Sequence, residues 1–334
     1  MDKYFVVMGA QLKCDQGKTN SLFVAINPMW NIDGKFVGRQ TDFVPLLNIL
    51  PFGPNCTLLT AAAGGVTVPC IPFPLPWQGV HTQGQGMLLP VLLNSSTCRC
   101  TFGGGISVAD AGQNLVSYDG PVAPVPPAPP LPGNIVVYRP EQGITDAETQ
   151  LNSPATLPAN TLFLVNNYLY ITDEHGRVVQ AKGVLELETA ARHTTRQRES
   201  VPYKDGQPLT AADKAAHPRM SQRGYWDDGG HIFASQFKGS NLHINYVPMH
   251  KRQNQAQTAT HNWNAMERAQ ARAKREGRHV YAEYTFDYPP EETGSQRFGG
   301  HEQSLRRDFS MRPEVLRAKT WVQGDPTEVE FFNE

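Results

Sequence analysis

The chain has 334 residues, with 30 Lys/Arg against 31 Asp/Glu and a formal net charge of −1. That is length for two domains, and its overall charge does not by itself mark a nucleic-acid or membrane binder. No stretch approaches the ~20 consecutive apolar residues that a membrane-spanning helix requires. The apolar opening from Tyr4 to Ala10 is too short and too soon polar for a secretory leader. A protein of this kind acting outside its producer is expected to use a route that ignores signal peptides.

The charges divide the chain. Residues 1–133 contain six Lys/Arg, six Asp and no Glu, leaving 24 basic and 25 acidic residues for 134–334. All five cysteines fall in the first part, and nine of the ten histidines in the second. Two physically different domains are expected, 1–118 and 135–334, joined by 119–134. The joining segment carries Pro121, Pro124, Pro126, Pro127, Pro129, Pro130 and Pro132. Prolines at this density favour extended polyproline-II geometry and block sheet pairing, giving a semi-rigid spacer of roughly 3 Å per residue.

Along the first domain, Val6 to Cys14 reads as a strand, a glycine bend at Gly9 and a second strand. Short apolar runs follow, cut by Gly and Pro: Leu58-Leu59-Thr60, Val66-Thr67-Val68 and Met87-Leu88-Leu89, then the Gly103-Gly104-Gly105 turn into Ile106-Ser107-Val108. The pattern predicts an all-β domain with tight turns, with only Val44 to Leu50 suggesting a helical period. Five cysteines in a chain without a leader are expected to be reduced. Cys14, Cys70, Cys98 and Cys100 supply four thiols that could hold Zn²⁺ or another thiophilic ion and stiffen a small domain. Buried structural thiols are the other reading of the same residues.

In the second domain, Thr161–Val165 and Tyr168–Thr172 flank Asn166-Asn167 as a hairpin. Asp173-Glu174-His175-Gly176 forms a further turn into Arg177-Val178-Val179. Residues 184–198 read as helical or irregular. The clearest helix spans 262–276, with Asn262 as N-cap and Gly277 as its stop, and Trp263 and Met266 on its core side. The alternation from His279 to Phe286 is that of a half-buried strand. Between His250 and His279 stand Lys251, Arg252, Arg268, Arg272, Lys274, Arg275 and Arg278 against Glu267 and Glu276. That surface attracts phosphates or is a solvated helix face. The fold class is α+β.

The chemistry concentrates in Asp227-Asp228-Gly229-Gly230-His231, followed by Asn245-Tyr246-Val247-Pro248-Met249 and, nine residues after Asn245, Asn254. Cleaving a phosphodiester requires an activated water, a cation on the developing charge and a stabilised leaving oxygen. A histidine with a pKa near ~6.5 is suited to take the water's proton, and the Asp/Gly turn is expected to place its ring at a strand end. An asparagine amide oxygen suits a hard cation that keeps most of its waters. A zinc cluster of His231, His243, His250 and His261 is the competing chemistry, without cysteine partners or a recognised ligand spacing.

These residues resemble the DNA/RNA non-specific endonucleases of the ββα-metal superfamily, whose motif reads Asp-Arg-Gly-His or Asp-Gly-Gly-His, then Asn-x-x-Pro and a second Asn nine residues beyond the first. Trp263 and Glu267 repeat the family's Trp-x-x-x-Glu. The resemblance extends to Tyr170–Arg177, Arg312-Pro313 and Phe332-Asn333, and covers roughly 155–334. It implies His231 as general base and Asn254 as ligand of Mg²⁺ (or Mn²⁺). It also implies Glu267 orienting metal-bound water, Asn245 supporting the site by hydrogen bonds, and Arg192 or Arg196 facing the transition state. The sequence departs from the Asp-Arg-Gly-His branch in having Gly229 in place of arginine and about five extra residues before Trp263.

In the first domain, Val6 to Cys14, Phe52-Gly53-Pro54-Asn55-Cys56, Pro69-Cys70-Ile71-Pro72 and Cys98-Arg99-Cys100 with Gly103-Gly104-Gly105-Ile106 resemble the PAAR-like spike-tip family over roughly 3–115. His81 is the only histidine there, so a three-histidine site is not evident. The resemblance implies a β cone capping the trimeric spike of a contractile, most often type VI, secretion machine. Together the two resemblances imply a toxin made in the bacterial cytoplasm and delivered into a competing cell, with DNA, and RNA as a second candidate, as substrate. They also imply an immunity protein guarding the producer. The alternative is a non-enzymatic spike component whose second domain only binds.

Overall fold

The structure, a computed structural model, describes residues 3–28, 30–82, 90–120, 122, 133–152, 157–188, 227–255, 260–288 and 312–333. The chain divides into two compact units, Met1–Val137 and Tyr138–Glu334. Among the described residues no helix is long and apolar enough to cross a membrane.

The first unit is β-rich, with short strands: β1 Lys3–Tyr4, β2 Gln11–Cys14, β3 Ser21–Leu22, β4 Asn31–Ile32, β5 Lys35–Phe36, β6 Thr97–Arg99, β7 Gly105–Asp110 and β8 Ser117–Tyr118. The largest sheet has the order β3-β2-β7-β6, and β1-β8 and β4-β5 form two-stranded ladders. Between these strands, single bridges such as Phe5↔Leu93, Val7↔Val37 and His81↔Val91 knit the loops together. One core gathers Phe5, Val7, Ile32, Val37, Val91 and Leu93, and Trp77 is fully buried with its indole N–H donating to Asp42 O at 3.0 Å.

Thr57–Ala62, which contains Leu58-Leu59-Thr60, is a helix, α1. Its apolar run predicts a strand, but Leu59 alone is buried there, and one inward residue per turn suits a short helix. Val44 to Leu50 is not a helix. Leu46 takes a left-handed φ of 58°, and the buried Asn48 side chain accepts from Val44 N at 3.0 Å and donates to Val24 O at 2.9 Å. Met87-Leu88-Leu89 lies outside the described residues, as does most of the proline segment.

The second unit is built on a seven-stranded sheet, six of whose strands pair antiparallel while its first strand, Asn134–Tyr138, spans the division between the units. Its strands are β9 Asn134–Tyr138, β10 Thr161–Val165, β11 Tyr168–Thr172, β12 Val178–Val184, β15 Val280–Asp287, β16 Val315–Val322 and β17 Asp325–Phe332, in the order β17-β16-β15-β12-β11-β10-β9. The β10–β11 hairpin turns at Asn166-Asn167, where Asn166 has φ 54°, a conformation asparagine tolerates better than most residues. Every residue of β10 is buried, as expected of an inner strand covered on both faces. β17 is the charged edge, its Glu330 and Glu328 lying opposite Arg317 and Lys319 of β16, a pattern that discourages edge-to-edge pairing.

The sheet order places the site. β12 pairs with β15 rather than with the next strand in sequence, so the chain leaves the sheet after Val184 and rejoins it at Val280. Within that excursion lie β13 Asp227–His231, β14 Tyr246–His250, a short α2 Lys251–Gln255 and α3 Trp263–Arg275. The helix α3 has the expected cap: Asn262 Oδ1 accepts from Ala265 N at 2.8 Å, and Gly277 follows with φ 77°. Of the stretch read as helical or irregular at 184–198, only 184–188 is described, and it is not helical.

Candidate active site

Asp227–His231 is not a tight turn but a strand, paired with β14 in the register Asp227↔His250, Asp228↔Met249, Gly229↔Pro248, Gly230↔Val247 and His231↔Tyr246. Gly230 therefore serves close packing rather than bending. A Cβ on Gly230 would lie 2.7 Å from Met249 Cβ and 2.8 Å from its Cε, so only glycine lets Met249 fill that space. His231 ends the strand, as the motif implied, with its ring 4.5 Å from that of Tyr246, centroid to centroid, and only 8% exposed.

The loop after His231 is held by Asn245. Its fully buried amide takes part in four hydrogen bonds. Oδ1 accepts from Phe233 N at 2.9 Å and from the Tyr170 hydroxyl at 2.8 Å, while Nδ2 donates to Phe233 O and Ser240 O, both at 2.9 Å. Ile232 N adds a bond to Asn245 O at 2.8 Å. Phe233 stacks on Tyr168 at 3.9 Å and meets Tyr170 and Tyr284, and the Tyr168 hydroxyl donates to Phe237 O. In this way β11, a strand of the main sheet, fixes the loop that carries the chain on from His231. The Asn245 amide is thus engaged on both its oxygen and its nitrogen in holding this loop.

Asn254 stands on α2, which packs against both β13 and β14. Its Nδ2 donates to Asp228 Oδ2 at 3.2 Å, so α2 is tied to the strand that ends in His231. The helices α2 and α3 are tied in turn: Asn262 Nδ2 donates to Arg252 O at 2.7 Å, and Gln253 Oε1 accepts from Trp263 N at 3.4 Å. Trp263 is fully buried against Tyr284 and Phe331, and its indole N–H donates to Glu267 Oε1 at 3.2 Å. Glu267 is thus oriented from within its own helix, one turn on. Met266 is only partly buried.

The closing segments take up roles that the sequence did not disclose. Arg312 holds Asp227 through two hydrogen bonds, 2.6 and 2.9 Å, with both side chains nearly fully buried. Asn333 accepts from His250 N at 2.7 Å and donates to Pro248 O at 3.0 Å and Pro313 O at 2.7 Å. The far end of the hairpin is therefore clamped by residues distant in sequence. His250 sits there, four pairs along the ladder from His231, and burial holds its pKa below the ordinary histidine value. His231 and His250 are thus kept at opposite ends of one ladder, which does not favour the four-histidine zinc cluster. Arg192 and Arg196 lie outside the described residues. The basic residues Lys251, Arg252, Arg268, Arg272, Arg275 and Arg278 are exposed, and Lys274 is partly so.

Residues 159–299 match the family model for DNA/RNA non-specific endonucleases. The chain carries a non-specific endonuclease domain. Residues 6–113 match DUF4280, a domain family of unknown function. Among solved structures, the chain is similar to Sda1 nuclease with bound zinc ion, at 18% identity and TM-score 0.32, covering 51% of this chain and 74% of that one. It is also similar to NucA from Streptococcus agalactiae with magnesium ion bound, at 16% identity and TM-score 0.33, covering 56% and 76%.

Proposed function

We propose that the second unit hydrolyses phosphodiester bonds of DNA, and of RNA as a second substrate, with His231 as general base and a Mg²⁺ (or Mn²⁺) ion held by Asn254. The observation that carries the reading is the Asp228–Asn254 hydrogen bond. It joins the two motif residues on one unit of hairpin and helix, within an endonuclease domain. The donor set fits a hard cation: the amide oxygen of Asn254, with the Glu267 carboxylate of α3 to orient metal-bound water, suits Mg²⁺ with several retained waters. When bound, such a cation supplies Lewis-acid stabilisation of the phosphoryl charge.

The chain's own residues do the rest. His231 Nδ1 or Nε2 takes the proton of the attacking water, which requires the ring in its neutral form. Asn245 keeps the following loop, and with it the ring, in place. Asp228 holds the Asn254 amide nitrogen, which leaves the amide oxygen as the ligand atom. Glu267, braced by Trp263, orients water. Arg192 or Arg196 supplies positive charge to the transition state, and the exposed basic residues of α3 attract the polyanion.

For the whole chain, the reading is a toxin delivered on the tip of a contractile, type VI secretion spike. It is supported by the spike-tip motifs and by the match of the first unit to DUF4280, a PAAR-like family. It implies a trimeric spike protein and an immunity protein as partners, manufacture in the bacterial cytoplasm and action in a competing cell. The nuclease reading is tested by incubating the full chain with plasmid and with RNA, in Mg²⁺ and in EDTA. Cleavage only with the cation is expected, and no cleavage of either substrate refutes it. The spike reading is tested by co-purification with a trimeric spike protein, and absence of a complex refutes it.

A further inference from the structure

The five cysteines of the first unit are buried free thiols. Among the described residues no group of His, Cys, Asp or Glu is placed to hold a metal ion. Cys14, Cys70, Cys98 and Cys100 are therefore not the ion site that their number allowed. The second unit does carry a cavity. A groove of about 430 Å³ lies between one flank of α3 and the outer strands of the sheet, a size that suits one small molecule. Ala265, Met266, Ala269 and Ala273 form the helix wall, and Val322, Val329 and Phe331 belong to the floor. The pairing Thr320↔Thr327 puts even-numbered residues of β16 and odd-numbered residues of β17 on this face. The groove avoids the proposed cation site, since Ala269 lies about 200° around the helix from Glu267.

A directed chain of hydrogen bonds ends at the floor of this groove. The Tyr284 hydroxyl donates to Gln270 Oε1 at 3.0 Å, and Gln270 Nε2 donates to Thr320 Oγ1 at 2.9 Å. Burial pushes the Tyr284 pKa well above the ordinary tyrosine value, so the phenol keeps its proton and needs an acceptor. Turning the amide round would deny it one. Gln270 and Thr320 are 3% and 8% exposed, and both line the groove. The Thr320 oxygen accepts from Gln270, and no described residue takes the hydroxyl's own proton. A hydroxyl donates as well as accepts, so a buried donor is left at the cavity, where an unmet hydrogen bond is costly. The charges agree in sign. His261, Arg272 and Arg278 line the groove, and no carboxylate does. Arg278 pairs with Glu276, whereas Arg272 is exposed and pairs with no described residue.

We propose that this groove binds a small organic anion with an apolar body, of the aromatic or branched carboxylate class. The body lies along the alanine wall and against Val329 and Phe331. An oxygen of the ligand accepts from the Thr320 hydroxyl and completes the chain that starts at Tyr284. The negative charge faces the rim at Arg272. With three basic side chains and no acidic one around the groove, a cationic ligand is repelled and a neutral one leaves the rim unmatched. Occupancy ties α3 to β16 and β17, and stabilises the folded chain increasingly with ligand concentration.

The test uses the full chain without divalent cation, so the result does not depend on cleavage. Anilinonaphthalenesulfonate, an aromatic body bearing one sulfonate, stands in for the ligand and is followed by its fluorescence. Saturable binding of about one equivalent is expected. Ala269→Trp fills the groove from an exposed position on its wall, and should abolish that binding while the chain stays folded. Arg272→Gln, also at an exposed position, should weaken it roughly 2- to 5-fold. Thr320→Val should weaken it roughly 10-fold, and Thr320→Ser, which keeps the hydroxyl, should restore it. The uncharged N-phenylnaphthylamine should bind more weakly than the sulfonate. The proposal is overturned by no saturable binding to the unaltered chain, or by unchanged binding to Ala269→Trp or Arg272→Gln. Equal affinity for the uncharged probe would overturn it as well, as would displacement of the sulfonate by a short single-stranded oligonucleotide, which would place the groove on the nucleic-acid path.

Discussion

Asn254 reaches from α2 to Asp228 on β13, with its Nδ2 3.2 Å from Oδ2. A carboxylate can only accept, so the contact decides which end of the amide faces it and turns the amide oxygen away; under the proposed function that oxygen is the ligand atom. Asn254→Ala is therefore expected to raise the half-saturating Mg²⁺ concentration by roughly 10-fold or more, and Asp228→Ala to act in the same direction through orientation. Cleavage rate against Mg²⁺ concentration reads both. An unchanged curve for Asn254→Ala would mean that another residue binds the cation.

Asn245 should behave differently. Its amide is fully buried and engaged four times, so Asn245→Ala strands backbone groups of Phe233 and Ser240 without partners. Each stranded group costs about 1–3 kcal/mol, and thermal unfolding should show a clear drop in Tm. The Mg²⁺ dependence of the folded fraction should stay near that of the unaltered chain.

Gly230→Ala places a methyl against Met249, and such overpacking costs about 1–3 kcal/mol. Met249→Ala removes Sδ and Cε but leaves the Cβ at the same 2.7 Å. The double variant should therefore lose less stability than the two single losses added, without returning to the original value. Denaturant unfolding of all four proteins measures the coupling, and strict additivity would show that the two sites do not collide.

Arg312→Ala leaves Asp227 charged and buried, which costs about 3–5 kcal/mol. Arg312→Lys should recover only part of this, because an ammonium cannot reproduce the two-point contact. Denaturant midpoints compare them. If Arg312→Ala were as stable as the unaltered chain, the clamp would contribute nothing.

The helix at 263–275 was legible because its cap, its stop and its inward residues all lie within one local window. The 161–172 hairpin was legible for the same reason. The long strands β16 and β17 carry no such local signal. The β17 sequence, with Pro326 and three acidic residues, reads as polar loop until the ladder with Arg317 and Lys319 is known. Asp227-Asp228-Gly229-Gly230 reads as a turn because Asp and Gly favour turns. The pairing with β14 and the bulk of Met249 override that preference, and both depend on residues some twenty positions away. Long-range partners account equally for Arg312 and Asn333, which local pattern could flag but not assign.

The central claim is that His231 takes the proton from the attacking water. Plasmid cleavage in saturating Mg²⁺ by the full chain and by His231→Ala, with the fold of each checked by circular dichroism, tests it most directly. The variant is expected to keep its fold and to lose roughly 10²–10⁴-fold in rate. A folded His231→Ala chain cutting at the unaltered rate would contradict the claim.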